Sequence, residues 1–311
     1  MTRRVTGLIA AGLAAFFVAS AIILGWRAAG QAAWFAGRVS RGGQVTAILT
    51  ATRAAYFSPT RLKEITGANL EVTQDITDAA SAGYPAIAIW DVSTSVYDTT
   101  NHQRLEPMSA TLVFDRKTAE LINCCGENVN GNGLIWQSGI AGYAFPAGAM
   151  KQTYDVFDTV LDEPEPFAYS GTGVVDGVPA YRFAENISAA YAGLSLLSSA
   201  EPELYSMHRV YWVDPETGAV LEITEDEDLY LVNPATGYPV THLFDADLST
   251  TPATVARLAS QDARARNEIA IVGTVRILLF CLAGVFVVTA GFLLVRKPRL
   301  RPLRRVLSGG Q

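Results

Sequence analysis

His208–Asn233 reads HRVYWVDPETGAVLEITEDEDLYLVN. Two arms rich in β-branched and aromatic residues flank Asp214-Pro215-Glu216-Thr217-Gly218. Proline at the second turn position presets φ, and glycine at the close accepts a left-handed backbone. The stretch therefore reads as strand, turn, strand.

The pattern recurs upstream. Ala86–Asp98, AIAIWDVSTSVYD, is strand-like with partial alternation. Ser109–Asn123, SATLVFDRKTAELIN, turns at Asp115-Arg116-Lys117-Thr118. Phe167–Phe183, FAYSGTGVVDGVPAYRF, turns at Asp176-Gly177, a strong short hairpin signal. LVFDRKTAELI and VYWVDPETGAVLEI share an aromatic, Asp, two residues, Thr, a small residue and an apolar arm. That hints at a weak internal repeat, although a meander reusing one turn gives the same pattern. Together these segments predict a twisted antiparallel sheet with one apolar face. Ala184–Glu203 lacks strand alternation and reads as a loop or short helix covering that sheet.

The ends differ from the middle. Val5–Trp26 and Ile277–Val295 are free of charge over 22 and 19 residues. Crossing a bilayer takes roughly 20 apolar residues. The first run is longer than the roughly 7–15 residues of a signal-peptide core. Arg3 and Arg4 precede the first run, and six basic residues from Arg296 to Arg305 follow the second. Basic flanks stay cytoplasmic, so both tails point inward and the middle lies outside. All 30 acidic residues lie between the spans against 16 basic ones, a net charge of −14 there. Such a domain is unsuited to nucleic acid and to anionic lipid surfaces.

The expected class is α+β, with an antiparallel β-rich extracytoplasmic domain between N- and C-terminal transmembrane helices. The sheet is a twisted sheet or half-barrel. Residues 1–26 form a cytoplasmic tip and first transmembrane helix, and 27–43 a stalk. Residues 44–248 form the β domain, 251–276 a helical stem, 277–295 the second transmembrane helix and 296–311 a basic cytoplasmic tail. Thr251 caps the stem helix, with Pro252 at its first position. Val255, Leu258, Ala265, Ile269 and Val272 give it an apolar stripe, which Asp262 interrupts.

Chemistry is sparse. No G-x-S-x-G elbow and no H-E-x-x-H pair occurs. His102, His208 and His242 are scattered. The run Glu225-Asp226-Glu227-Asp228 lacks the oxygen pattern of a calcium loop and reads as a solvated strand end. No catalytic residue, cofactor or metal site is expected, and the protein reads as non-enzymatic. Cys124 and Cys125 adjoin each other in a compartment where disulfides persist. Three states fit the sequence: a vicinal disulfide, bridges to another chain, or free thiols. Trp90, Phe114, Trp136, Tyr181, Phe183 and Trp212 are the aromatics that would line a ligand face in a curved sheet, or else pack its core.

WDVSTSVYD, FDRKTAELINCCGENVNG, FPAGAMKQTYDVFDTVL, GTGVVDGVPAYRF and YWVDPETGAVLEI resemble an actinobacterial family of two-span envelope proteins, labelled the porin PorA family. The resemblance runs from the first span to the second. It implies that Cys124 and Cys125 are a family feature, and it carries over no catalytic residue. The β segments bear acids on both faces and lie between two helical spans, unlike a transmembrane barrel. A channel would require the spans to oligomerise. Expected partners are the bilayer, an envelope lipid or glycolipid, envelope-assembly proteins and further copies of the chain. A porin-like channel component is the alternative function. A signalling or assembly adaptor acting through Arg296–Arg305 is a further one.

Overall fold

A computed structural model of the chain describes residues 3–31, 44–79, 86–105, 107–192 and 202–295. Most of the expected stalk and the basic tail lie outside the described residues. The chain divides into two units, Met1–Ala28 with Ile269–Gln311, and Ala29–Glu268.

The first unit pairs helix α1 (Arg3–Gln31) with the end of helix α2 (Pro252–Val295). Both are long and apolar enough to cross a membrane. They run antiparallel. Arg3 sits 5.9 Å over the ring of Phe292, Phe17 stacks on Phe286 at 5.6 Å, and Gly25 lies against Arg276. The Leu294 side chain fills the space where Gly7 lacks a Cβ. Small residues allow such close approach where the surroundings are as apolar as the helices themselves.

The second unit is an antiparallel half-barrel. Its strands are β1 (Gln44–Ser58), β2 (Lys63–Asp78), β3 (Ile87–Asp98), β4 (Gln103–Arg104), β5 (Met108–Asp115), β6 (Asn128–Val129), β7 (Tyr154–Asp158), β8 (Glu163–Val175), β9 (Val178–Tyr191), β10 (Glu203–Val213), β11 (Val220–Val232) and β12 (Pro239–Thr250). Their order is β6-β5-β3-β2-β1-β12-β11-β10-β9-β8-β7, with β4 beside β3. First and last long strands are neighbours, with Leu49 opposite Thr250. The chain therefore enters and leaves the sheet at one end, beside its centre.

One turn is used repeatedly. Asp98, Asp115, Asp158, Asp214 and Asn233 each accept a hydrogen bond from the backbone N–H two residues on. Four residues after each comes a left-handed backbone, at His102, Ala119, Asp162, Gly218 and Gly237. A side-chain oxygen that mimics a backbone carbonyl nucleates such turns. The shared pattern at Asp115 and Asp214 is this turn, and three more connections use it without the flanking residues that made it visible.

Ala184–Tyr191 is not a loop or helix. It completes β9 and pairs with β10, Glu185 facing Arg209 and Ile187 facing Met207. The inward residue at the middle of this stretch is a buried glutamate, so apolar alternation is hidden there. Residues 193–201 lie outside the described residues.

The capping of α2 is as expected: the Thr254 N–H donates to Thr251 Oγ1 at 3.3 Å. Leu258, Ala259, Asp262 and Ala265 are buried. Leu258 packs with Val45, Trp90 and Phe114, and Ala259 with Val178 and Leu221. The Arg257 guanidinium donates to the Thr46 carbonyl.

Candidate functional site: an aromatic seam and a buried ion cluster

The long connection between β5 and β7 bridges the two edges of the half-barrel. Ile122 N–H bonds the Val113 carbonyl, Leu121 N–H that of Gly139, and Ile140 N–H that of Asp155. Backbone polar groups on both edges thus find partners where a plain open sheet would leave them free.

This connection carries Phe145, Lys151 and Tyr154 of the segment FPAGAMKQTY to one place. Phe145 stacks on Phe183 at 4.9 Å, and Tyr154 meets both edge-on at 5.4 and 5.6 Å. Tyr169 continues the series at 6.0 Å from Phe183 and 5.6 Å from Tyr181. Lys151 Nζ ends it, 5.6 Å from the Tyr169 ring and 5.3 Å from that of Tyr181. Phe183 is fully buried, Tyr169 and Tyr181 are half-buried and Lys151 is exposed. The seam leads from core to surface and finishes under a cation, a favourable charge–quadrupole arrangement. The Tyr154 hydroxyl accepts the Met150 N–H at 2.8 Å, which fixes the loop bearing Lys151.

Beside it lies an ion cluster. Arg209 on β10 faces Glu185 across β9 and Glu225 across β11 by strand register. Its guanidinium is 2.9 Å from Glu225, 3.3 Å from Glu185 and 3.4 Å from Asp158. Burial, opposed by Arg209, pushes the Glu185 carboxyl up to about 7. Burial and then Glu225 push Glu227 up to about 8. Both carboxyls are thereby poised to hold protons near neutrality, since one guanidinium cannot balance four neighbouring acids. The acidic run is therefore not a solvated strand end. Glu225 is buried inside the sheet, while Asp226 between it and Glu227 is exposed. Alternation of four acids was the available signal, because adjacent strand residues face opposite ways.

The six predicted aromatics separate into four places. Trp90 and Phe114 meet edge-on at 4.7 Å in the cluster that receives Leu258 of α2. Trp212 packs beside Val255 of the same helix and over Gly173, where a Cβ would come within 2.6 Å of its ring. Tyr181 and Phe183 belong to the seam. Trp136 is 74% exposed on the loop between β6 and β7. Sequence reasoning passed over Lys151, Tyr154, Tyr169 and the Arg209 cluster.

Cys124 and Cys125 face each other, their Cα atoms 3.7 Å apart and Cys125 in a left-handed conformation. The loop around them is clamped by Asn123 and Gln137. Asn123 Nδ2 donates to the Gln137 carbonyl at 2.7 Å, and Gln137 N–H returns to Asn123 Oδ1 at 2.8 Å. Among the described residues, no group of three or more His, Cys, Asp or Glu side chains is placed to hold a metal ion.

A β half-barrel between two apolar helices makes this an α+β protein, and the length and hydropathy of the helices are consistent with membrane insertion. The chain belongs to the Porin PorA family, whose model matches residues 6–293. No curated protein matches it.

Proposed function

We propose that this is a non-enzymatic envelope protein, anchored by two transmembrane helices with both termini cytoplasmic. Its extracytoplasmic half-barrel binds an envelope lipid or glycolipid at the aromatic seam. The observation that carries this reading is the path from Phe183 through Tyr169 and Tyr181 to Lys151. Aromatic faces accept acyl chains and the apolar faces of sugars, and a lysine at the exit suits a polar head. The negative charge of the domain favours a ligand held by stacking over one held by a broad basic surface.

The test is mass spectrometry of lipid retained by the full-length protein purified in mild detergent. Wild type should carry a defined lipid, and Tyr181→Ala with Lys151→Ala should retain at least several-fold less. A lipid-free wild type, or equal retention by the variant, would remove this reading and leave a scaffold for envelope assembly.

A channel built by oligomerised spans is the second reading. The family's name favours it, as does an open apolar groove of about 490 Å³ lined by Ala11, Ala14, Ala15, Ala19 and Ala290 among others. Steady conductance of the purified protein in planar bilayers would support it, and silent bilayers would remove it.

A further inference from the structure

The place where α2 meets the β10–β11 turn holds two carboxyls in one buried site. Asp214 is fully buried at the start of the turn, and Asp262 on α2 is 5% exposed. Thr217 Oγ1 donates to Asp262 Oδ1 at 2.5 Å. Arg266, one turn further along the helix, reaches both oxygens of Asp214 at 3.3 Å and Glu216 at 3.1 Å. Asp262 Oδ2 is buried and receives no N–H or O–H among the described residues. A proton shared between the two carboxyls would satisfy it.

We propose that Asp214 and Asp262 form a proton-bridged clasp, so that docking of α2 on the half-barrel takes up one proton and weakens as pH rises. Two carboxylates in contact do not both stay ionised, and the single cation here is committed to Asp214 and Glu216. Burial, then the hydrogen bond with Asp214, pushes the Asp262 carboxyl up to about 8. The other residues packed on this side of the helix, Val178, Ala180, Ala219 and Leu221, carry no charge. Asp176, at the neighbouring β8–β9 turn, is exposed. Released, Asp262 would ionise as an ordinary aspartate near pH 4. The docked state therefore binds the extra proton between pH 4 and about 8, and docking loosens through that window as the proton becomes scarce.

Hydrogen exchange of residues 252–268 tests this in the full-length protein in detergent micelles, after correction for the intrinsic pH dependence of exchange. In wild type the open fraction should rise by up to tenfold per pH unit between pH 6 and 8, then level off. Asp262→Asn replaces the bridging proton with an amide, and its open fraction should be flat over the same range. Asp214→Asn, which leaves Asp262 an ordinary partner for Arg266, should also flatten it. A flat wild type overturns the proposal, as does a variant pair that retains the wild-type slope. Failure of both variants to fold also counts against it, because an amide should hold the clasp closed.

Discussion

Arg209 and Arg266 each face more carboxylates than one guanidinium can balance, yet the two sites are held in different ways. Arg209 sits between Glu185 and Glu225 because β9, β10 and β11 are paired in that register. The Glu185 and Glu225 contacts cannot separate unless strands separate. Arg266 and Asp262 belong to a helix, whereas Asp214 and Glu216 belong to a turn. Those groups part when the helix moves. The Arg209 side chain is 13% exposed and that of Arg266 is 29%. Equal imbalance of charge therefore yields a global stability term in the first place and a local opening in the second.

The largest expected effect tests the first half of this contrast. Arg209→Met strands Asp158, Glu185 and Glu225 without a cation, and breaking a buried ion network on one side costs about 3–5 kcal/mol. Thermal melting at pH 7 should show it as a large drop in Tm. The deficit should shrink at pH 5, where the acids can take up protons.

Glu185→Gln removes one buried acid of the cluster while Asp158 and Glu225 remain for Arg209. The Glu185 carboxyl titrates near 7 in the folded chain against an ordinary value of 4.5. As pH rises from 4.5 the unfolded chain loses this proton first, so stability falls through the window from 4.5 to about 7. The variant should match wild type at pH 4.5 and exceed it at pH 8, by an amount on the order of 2 kcal/mol. Melting curves at the two pH values give the comparison.

Thr217→Val deletes the hydroxyl that donates to Asp262. Leaving a buried carboxyl oxygen without its donor costs about 1–2 kcal/mol. Here the loss should register in exchange of α2 more than in Tm, which separates the clasp from the strand-locked cluster. The smallest effect belongs to Cys124→Ser with Cys125→Ser. The Asn123–Gln137 clamp already closes that loop, so melting should shift by less than about 1 kcal/mol. A large shift would identify the sulfur pair as a covalent staple, and thiol labelling of the native protein reports its state directly.

Hairpins at Asp115, Asp176 and Asp214 were legible because Asp, Gly and Pro act on the backbone locally. The same local chemistry at Asp98 and Asp158 was less legible, since Thr99, Thr100, Thr159 and Val160 inside those turns are residues that favour strands. Pairing of β9 escaped notice because Glu185 occupies an inward position that pattern reading reserves for apolar side chains. Asp262 was visible as a break in an apolar stripe. Its reason lay 45 residues away in Thr217.

The chain alone determined its two apolar helices, its acidic β-rich middle and the turns between strands, because each follows from hydrophobicity and backbone preference over a few residues. Only the tertiary structure decided that Phe145, Lys151 and Tyr154 join Tyr169 and Tyr181, and that five acids lie beside Arg209 and Arg266 inside the fold. Those neighbours meet through strand register and helix docking, which depend on residues far apart in sequence and have no local signature.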